Sequence, residues 1–181
     1  VYTNGGAFAK TYKIAPNDNE PPLITCPEPV TVANELGICA VSFPITPATA
    51  TDDVSLTENI TIGFVRIDDA LLTLLDPFPL GETTITWTAT DEAGNVSESC
   101  EQLITVTDDE APIAVAQNIT LELNTNGVMT LDPKELDNSS TPSTDNCTSL
   151  ENLVYNTSQT EFDCTDIGAP VTVFFTVTDE A

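Results

Sequence analysis

The chain has 181 residues, with 29 acidic and four basic side chains, no histidine and a formal net charge of −25. Because so negative a surface repels other polyanions, nucleic acid and anionic lipid are excluded as partners. The lack of histidine removes the usual base of a serine or cysteine nucleophile, and no glycine-rich phosphate loop occurs. No apolar run reaches the ~18 residues of a membrane span. We therefore predict neither an enzyme nor insertion of this segment into a membrane.

Many short strands are predicted, because thirteen prolines and eight glycines punctuate a chain rich in Thr, Val and Ile. Residues 1–21 are predicted to be the end of a preceding repeat and a linker, with a last strand around residues 8–14. The strands expected next are Val30–Ala33, Cys39–Ile45, Ile60–Ile67 and an alternating segment that begins at Thr83.

The alternating segment is the clearest strand of the chain. Ile85, Trp87 and Ala89 face one side of it, and the threonines between them face the other. Trp87 is the only tryptophan. In mid-strand among apolar neighbours, it is predicted to be a core residue rather than a ligand platform.

A repeat sets the domain organisation. The sequence Thr88–Ala93 (TATDEA) returns almost unchanged as Thr176–Ala181 (TVTDEA), 88 positions later. We therefore predict two modules, at 22–108 and 109–181. The second module lacks the closing strand of the first, so it is predicted to be incomplete and the chain to be an excerpt of a longer one. Acidic junctions that end in proline precede both modules and are expected to be semi-rigid.

The second module is predicted to contain three strands and one helical turn. The strands are Ile113–Leu123, Val128–Leu131 and Val171–Val177. Asp132 is followed by proline and, three residues on, by a glutamate. This is the pattern of a capped helix start, which predicts one helical turn at Asp132–Leu136.

Several motifs together resemble the hyalin repeat, or HYR domain. In the first module they are Pro21–Pro27, Gly37–Cys39, Ala50–Asp52, Phe78–Thr84 and Trp87–Asn95, with Cys100 in the last strand. The second module is similar to divergent relatives in large surface adhesins of Bacteroidetes, through Ala116–Thr120, Thr144–Cys147, Glu161–Cys164 and Thr176–Ala181. The resemblance implies an all-β chain of tandem immunoglobulin-like β-sandwiches in an extracellular array associated with adhesion.

Five cysteines without histidine and without a Cys-x-x-Cys pair argue against zinc and for an oxidising compartment. Counterparts in similar repeats imply a bridge between Cys147 and Cys164. In the first module the preferred pair is Cys26 with Cys100, which leaves Cys39 buried or free. The alternative there is Cys39 with Cys100. The family's extra cysteine is absent at Asp53, and Ala116 stands where Cys26 would predict another.

Carboxylates are concentrated near the ends of the modules. The residues are Asp52, Asp53, Asp91, Asp108, Asp109 and Glu110. Loops at one end of a β-sandwich converge, so such oxygens can surround a hard cation, and we predict a Ca²⁺ site at the junction between modules. The competing explanation is that these acids only form turns, because Asp side chains bond their own backbone.

The leading functional hypothesis is a structural rod or stalk of a secreted or cell-surface adhesin, in which each repeat has neighbouring repeats as partners. The alternative is a module that binds a cell-surface glycan or protein through its loops. Aromatic residues are only 6% of the chain, which disfavours a sugar site. A threonine-rich face for ice or mineral is the weakest option, since threonine is common on strands.

Overall fold

The structure is a computed structural model, and it describes residues 18–180. The strand predicted at residues 8–14 therefore lies outside the described residues. The described residues form twelve strands: β1 Leu23–Thr25, β2 Val30–Ala33, β3 Ala40–Val41, β4 Thr49–Thr51, β5 Thr61–Arg66, β6 Phe78–Pro79, β7 Gly81–Thr90, β8 Cys100–Thr107, β9 Val128–Thr130, β10 Val154–Thr157, β11 Glu161–Asp163 and β12 Phe175–Thr178. Single 3-10 turns lie at Thr57–Asn59, Pro133–Leu136 and Cys164–Asp166. No α-helix occurs within residues 18–180, so the all-β class is confirmed.

The largest sheet has four strands in the order β2-β8-β7-β5. Strands β5 and β7 are antiparallel, and Phe64 lies opposite Trp87 with ring centroids 5.9 Å apart. The side chains of Ile85, Trp87 and Ala89 are at most 1% exposed, whereas the threonines between them are only half-buried. The alternation of apolar residues and threonines in the sequence therefore corresponds to a buried and a half-buried face of this strand. Trp87 is a core residue, as predicted.

The chain divides into two compact units. Unit 1 comprises residues up to 30, 44–75 and 83–104, and unit 2 comprises 31–43, 76–82 and 105 onward. Unit 2 therefore takes in two segments that precede residue 105. The division at 22–108 and 109–181 stays a prediction.

Unit 1 is built around the buried face of β7. Ile104 of β8 is fully buried, and Ala48 and Ala50 are each 4% exposed. Strands β1 and β4 form an antiparallel pair in which Leu23 lies opposite Thr51. This pairing places the start of β1 beside the end of β4.

Unit 2 contains three two-stranded antiparallel sheets, β3-β6, β9-β11 and β10-β12. Leu131, Leu136 and Phe162 form a buried cluster. The partly buried side chains packed against it are Ile119, Leu121, Leu123, Val173 and Phe175. The helical turn at Pro133–Leu136 forms as predicted, with the Asp132 side chain accepting a hydrogen bond from the Lys134 N–H at 3.0 Å.

The strand predicted at Ile113–Leu123 does not form. Only isolated bridges occur there, at Ile113 and at Ala116. The reason is the identity of the hydrogen-bond partners, because the N–H of Val115 donates to the Ser143 hydroxyl and that of Gln117 to the Leu136 carbonyl. These acceptors lie outside any strand, so the backbone is satisfied without a ladder.

Two further strands are shorter than predicted. The strand predicted at Cys39–Ile45 is only β3, in which Val41 pairs with Phe78. The strand predicted at Val171–Val177 begins only at Phe175. Within residues 18–180, no helix is both long enough and apolar enough to cross a membrane.

Candidate functional site

Asp18, Asp52 and Asp53 form what we call the first acidic cluster. Each contributes a carboxylate oxygen, and these oxygens lie within 4.8 Å of one another. The strand pairing explains the meeting, since Asp18 precedes β1, the two other aspartates follow β4, and the strands are antiparallel. All three residues belong to unit 1.

Turn hydrogen bonds use one oxygen of each of two aspartates in this cluster. Oδ1 of Asp52 accepts from the N–H groups of Val54 (3.0 Å) and Ser55 (2.7 Å). Oδ1 of Asp18 accepts from the Glu20 N–H at 3.0 Å. Asp18 is only 9% exposed, and its Oδ2 is buried without a hydrogen-bond partner. An open depression of about 480 Å³ lies beside the cluster, lined by Glu20, Pro21, Leu23, Thr51, Asp52 and Asp53.

Asp108, Asp145 and Asp179 form the second acidic cluster, within unit 2. Their oxygens also lie within 4.8 Å of one another. Oδ1 of Asp108 accepts from the Glu110 N–H (3.2 Å), and Oδ2 of Asp145 accepts from the N–H groups of Cys147 and Thr148, both at 2.7 Å. The remaining oxygens of Asp108 and Asp145, Oδ2 and Oδ1, are buried without a hydrogen-bond partner.

Carboxylates this close repel one another when ionised. At 4 Å, two like charges cost about 1 kcal/mol in bulk water and about 4 kcal/mol near a protein surface. A hard cation with oxygen ligands reverses this energy, and Ca²⁺ accepts six to eight oxygens in loose geometry. The donor sets of both clusters consist of carboxylates alone, which fits Ca²⁺ better than zinc.

Asp91 does not join either cluster. Its Oδ1 accepts from the N–H groups of Gly94 (2.7 Å) and Asn95 (2.8 Å), and its Oδ2 accepts from the Asn95 side chain (2.8 Å). Burial raises the pKa of Asp91, but these hydrogen bonds outweigh burial, so the pKa lies below its ordinary value. Gly94 sits at φ +95°, a conformation that glycine alone adopts easily. Asp91 is therefore a turn-forming residue.

Glu110 and Asp109 also lie outside the clusters. Oε1 of Glu110 accepts a hydrogen bond from the N–H of Gly37 at 2.6 Å, and from the side-chain amides of Asn146 (3.3 Å) and Asn34 (3.5 Å). Asp109 is exposed. The structure thus brings together Asp52 and Asp53, puts Asp108 in a separate group, and gives Glu110 a bonding role within unit 2.

The disulfides differ from the sequence prediction in one pair. Cys26 is bonded to Cys100, with Cα atoms 5.8 Å apart, and Cys39 is bonded to Cys147, with Cα atoms 5.0 Å apart. Cys164 is free and exposed, so the predicted Cys147–Cys164 bridge is wrong.

The local turns explain the correction. The Asp145 turn holds Cys147 beside Asn34, whose amide lies 3.6 Å from the Cys147 sulfur. The sulfur of Cys164 instead lies 3.6 Å from the Gly127 carbonyl oxygen. The two cysteines of the second module therefore point to different neighbours.

Family comparison assigns the first part of the chain. Residues 17–106 match the family model described as HYR domain. This segment matches the HYR family. It contains Cys26, Cys39 and Cys100, whereas the partner of Cys39, Cys147, lies beyond its end.

The HYR-containing chain is also similar to a solved structure, a mutant of the SrpA adhesin from Streptococcus sanguinis. The identity is 22% and the TM-score 0.32, over 51% of this chain and 58% of the adhesin chain. The chain thus spans less than two thirds of that adhesin chain. No curated protein sequence matches it significantly.

Sequence reasoning missed three members of the clusters, Asp18, Asp145 and Asp179. Alignment of the two repeats contains the signal that would have found them. Asp18 precedes the first proline-closed junction as Asp108 precedes the second, and Thr-Asp follows a small residue at both Asp52 and Asp145.

Proposed function

We propose that the chain is a spacer segment of an extracellular adhesin, in which consecutive repeats form a rod or stalk. The HYR domain at 17–106 and the similarity to an adhesin support an adhesion-related extracellular module. Two disulfides support an oxidising, extracellular location, because reducing compartments keep thiols reduced. In this proposal the chain has no catalytic role.

The observation that carries the proposal is the bond between Cys39 and Cys147. It ties a turn inside the HYR domain to chain that follows the domain. The short hydrogen bond from Gly37 to Glu110 crosses the same boundary. Both contacts lie within unit 2, so residues of the HYR segment and the chain that follows it share one compact unit. A covalent bond with a charge-assisted hydrogen bond beside it holds these residues together, as a spacer under tension requires.

Neighbouring repeats of the same chain are the partners of a spacer. A cell-surface glycan or protein is then the ligand of the parent adhesin, bound at a tip outside this segment. A rod raises the effective concentration of such a tip at its target by setting the reach of the tip.

Adhesion assays test the proposal directly. The chain alone and a longer chain with further modules are compared on a glycan array and on immobilised host-cell protein. We expect no binding by the chain alone. Specific binding by the chain alone would contradict the spacer role.

A second candidate function is a module that binds protein through a loop, and a groove in unit 2 favours it. The groove has a volume of about 850 Å³. Ile167 and Val171 line it and are 71% and 42% exposed. Polar side chains such as Gln117 and Asp166 line the groove together with the apolar ones, a mixture that an extended protein segment can match. If the chain alone binds, Ile167→Asp abolishes that binding while the circular dichroism spectrum stays unchanged.

A further inference from the structure

The two acidic clusters occupy equivalent places in two successive repeats. Asp18 opens the sequence Asp-Asn-Glu-Pro, and Asp108 opens Asp-Asp-Glu-Ala-Pro. In both, Oδ1 accepts from the N–H two residues later, at 3.0 and 3.2 Å. In both, Oδ2 is buried and has no hydrogen-bond partner. These two junction aspartates are therefore equivalent in sequence and in geometry.

The second member of each cluster is equivalent in the same way. Asp52 and Asp145 each follow a threonine. One oxygen of each accepts from the N–H groups two and three residues later, between 2.7 and 3.0 Å. That turn fixes the carboxylate and leaves its second oxygen outside these hydrogen bonds.

The third member differs between the repeats. In the first cluster it is Asp53, and in the second it is Asp179, whose sequence counterpart is Asp91. Asp91 is joined to the first cluster indirectly, because the Asn95 side chain donates both to Asp91 and to the Asp18 backbone carbonyl, the latter at 3.3 Å. Each repeat thus brings together three carboxylates, and two of the three come from equivalent positions in the two repeats.

The buried oxygens of the clusters distinguish them from ordinary surface acids. Asp18 is 91% buried, and its Oδ2 lacks any donor. Asp108 Oδ2 and Asp145 Oδ1 are likewise buried atoms without a donor, although the two residues themselves are only half-buried. Buried polar atoms in folded proteins are almost always paired, and a buried anionic oxygen is the most costly to leave alone. One cation in each cluster satisfies these oxygens together, which no single N–H donor does.

We propose that each acidic cluster binds one Ca²⁺ ion, so that the chain binds two. The carboxylates supply part of the coordination, and backbone carbonyls and water complete the six to eight oxygens that Ca²⁺ takes. Mg²⁺ demands strict octahedral geometry and keeps its water, so it competes poorly. Extracellular calcium modules bind in the range of about 10⁻⁴ to 10⁻³ M, which is the affinity expected here. Each site lies within one compact unit, and the proposal stands independently of the spacer role.

Calorimetric titration of the metal-free chain with CaCl₂ tests the stoichiometry. We expect two equivalents for the unaltered chain and one each for Asp52→Asn and Asp145→Asn. Asparagine keeps the oxygen that accepts the turn hydrogen bonds, so the turn survives while the anionic ligand is lost. Glu58→Gln and Asp109→Asn remove a charge from exposed positions outside the clusters. Both controls keep two equivalents.

Thermal unfolding provides a readout that a merely structural role would not produce. In EGTA, Asp18→Asn raises the midpoint, because a buried unpaired charge is removed. In several millimolar CaCl₂ the order reverses, because the unaltered chain gains stability by binding two ions and the variant binds only one. Unchanged stoichiometry in Asp52→Asn and Asp145→Asn, or no calcium-dependent midpoint shift in the unaltered chain, overturns the proposal. An equal response to MgCl₂ overturns its calcium specificity.

Discussion

Cys39 and Cys147 are bonded to each other although 108 positions separate them in sequence. Cys39 lies inside the loop that Cys26 and Cys100 close, and Cys147 lies outside it. The two disulfide loops therefore interleave, and each bridge still constrains the chain when the other is reduced. Because a disulfide acts mainly by limiting the unfolded chain, interleaved loops are expected to stabilise the fold strongly.

The thiol inventory is the first prediction. The unfolded, unreduced chain should contain one reactive thiol, at Cys164, because the structure leaves that residue free and exposed. Thiol titration in denaturant measures the count, and mass spectrometry of unreduced peptides gives the pairing. Recovery of a peptide joined through Cys147 and Cys164 would contradict the structure.

Loss of the long-range bridge is the second prediction. The double variant Cys39→Ser/Cys147→Ser should lose about 2–5 kcal/mol of unfolding free energy, since a disulfide of this span removes much entropy from the unfolded chain. Chemical denaturation measures the loss. The matched control is Cys164→Ser, which removes an exposed free thiol and should change stability by less than about 0.5 kcal/mol. Equal stability of the double variant and the control would show that the bridge contributes nothing.

Much of the fold was predictable where one periodicity dominates. The alternation around Trp87 predicts the buried face of β7, because a two-residue period has one structural meaning. At Ile113–Leu123 the residue types likewise indicated a strand, but the backbone there is irregular. The N–H partner of Val115 there is a serine hydroxyl 28 positions away, and no local pattern encodes such a partner.

The clusters and the bridges depend on proximity that sequence alone does not give. Cys39 could not be matched to Cys147, because a pairing across 108 positions competes with nearer cysteines that look equally suitable. The carboxylate of Glu110 suits a cation, but its Oε1 accepts a hydrogen bond from the Gly37 N–H instead. Comparison of the two repeats could have pointed to Asp18, Asp145 and Asp179 through their counterparts Asp108, Asp52 and Asp91, but not to their meeting in space.

The third prediction concerns Glu110. Glu110→Ala removes the acceptor of the Gly37 N–H and should lower the unfolding free energy by about 1.5–3 kcal/mol, the usual worth of a hydrogen bond to a charged group. Amide exchange at Gly37 should become faster. Glu110→Gln keeps an acceptor oxygen and should lose less. Unaltered exchange at Gly37 in Glu110→Ala would mean that this hydrogen bond does not protect the amide.

The fourth prediction is a pH dependence that comes from one ion pair. Arg66 is 1% exposed, and its guanidinium donates to both oxygens of Asp68 and to the Thr73 carbonyl. The hydrogen bond from Arg66 lowers the pKa of Asp68 below its ordinary value of 3.8. The folded state therefore binds the proton less readily than the unfolded state. The stabilisation is complete above about pH 4 and is lost as the pH falls through the lower, folded pKa.

Comparison of Asp68→Asn with the unaltered chain measures this contribution. At pH 7 the variant should be less stable by about 1 kcal/mol, because the guanidinium of Arg66 loses its hydrogen bonds to a partly exposed carboxylate. The difference should shrink as the pH falls from about 4 to 2. A difference that stays constant over this range would show that the ion pair does not titrate as described.

Mechanical extension is the fifth prediction, and it tests the disulfide topology and the spacer role together. When the unfolded chain is pulled from its ends, the interleaved bridges let tension pass from Cys26 to Cys39 and then across to Cys147. The bridges exclude 108 residues from the length of the extended chain. At about 3.5 Å per residue, this is about 380 Å. Reduction should lengthen the extended chain by that amount in single-molecule force measurements.

The variant Cys39→Ser is the control. In it, only the 74 residues between Cys26 and Cys100 are excluded from the extended length, or about 260 Å. A gain near 320 Å would instead indicate bridges from Cys26 to Cys100 and from Cys147 to Cys164. A spacer that bears load should extend little until it unfolds and should then stop short at the bridges, so a gain near 380 Å means that its bonds limit how far a bound tip can be drawn from its anchor.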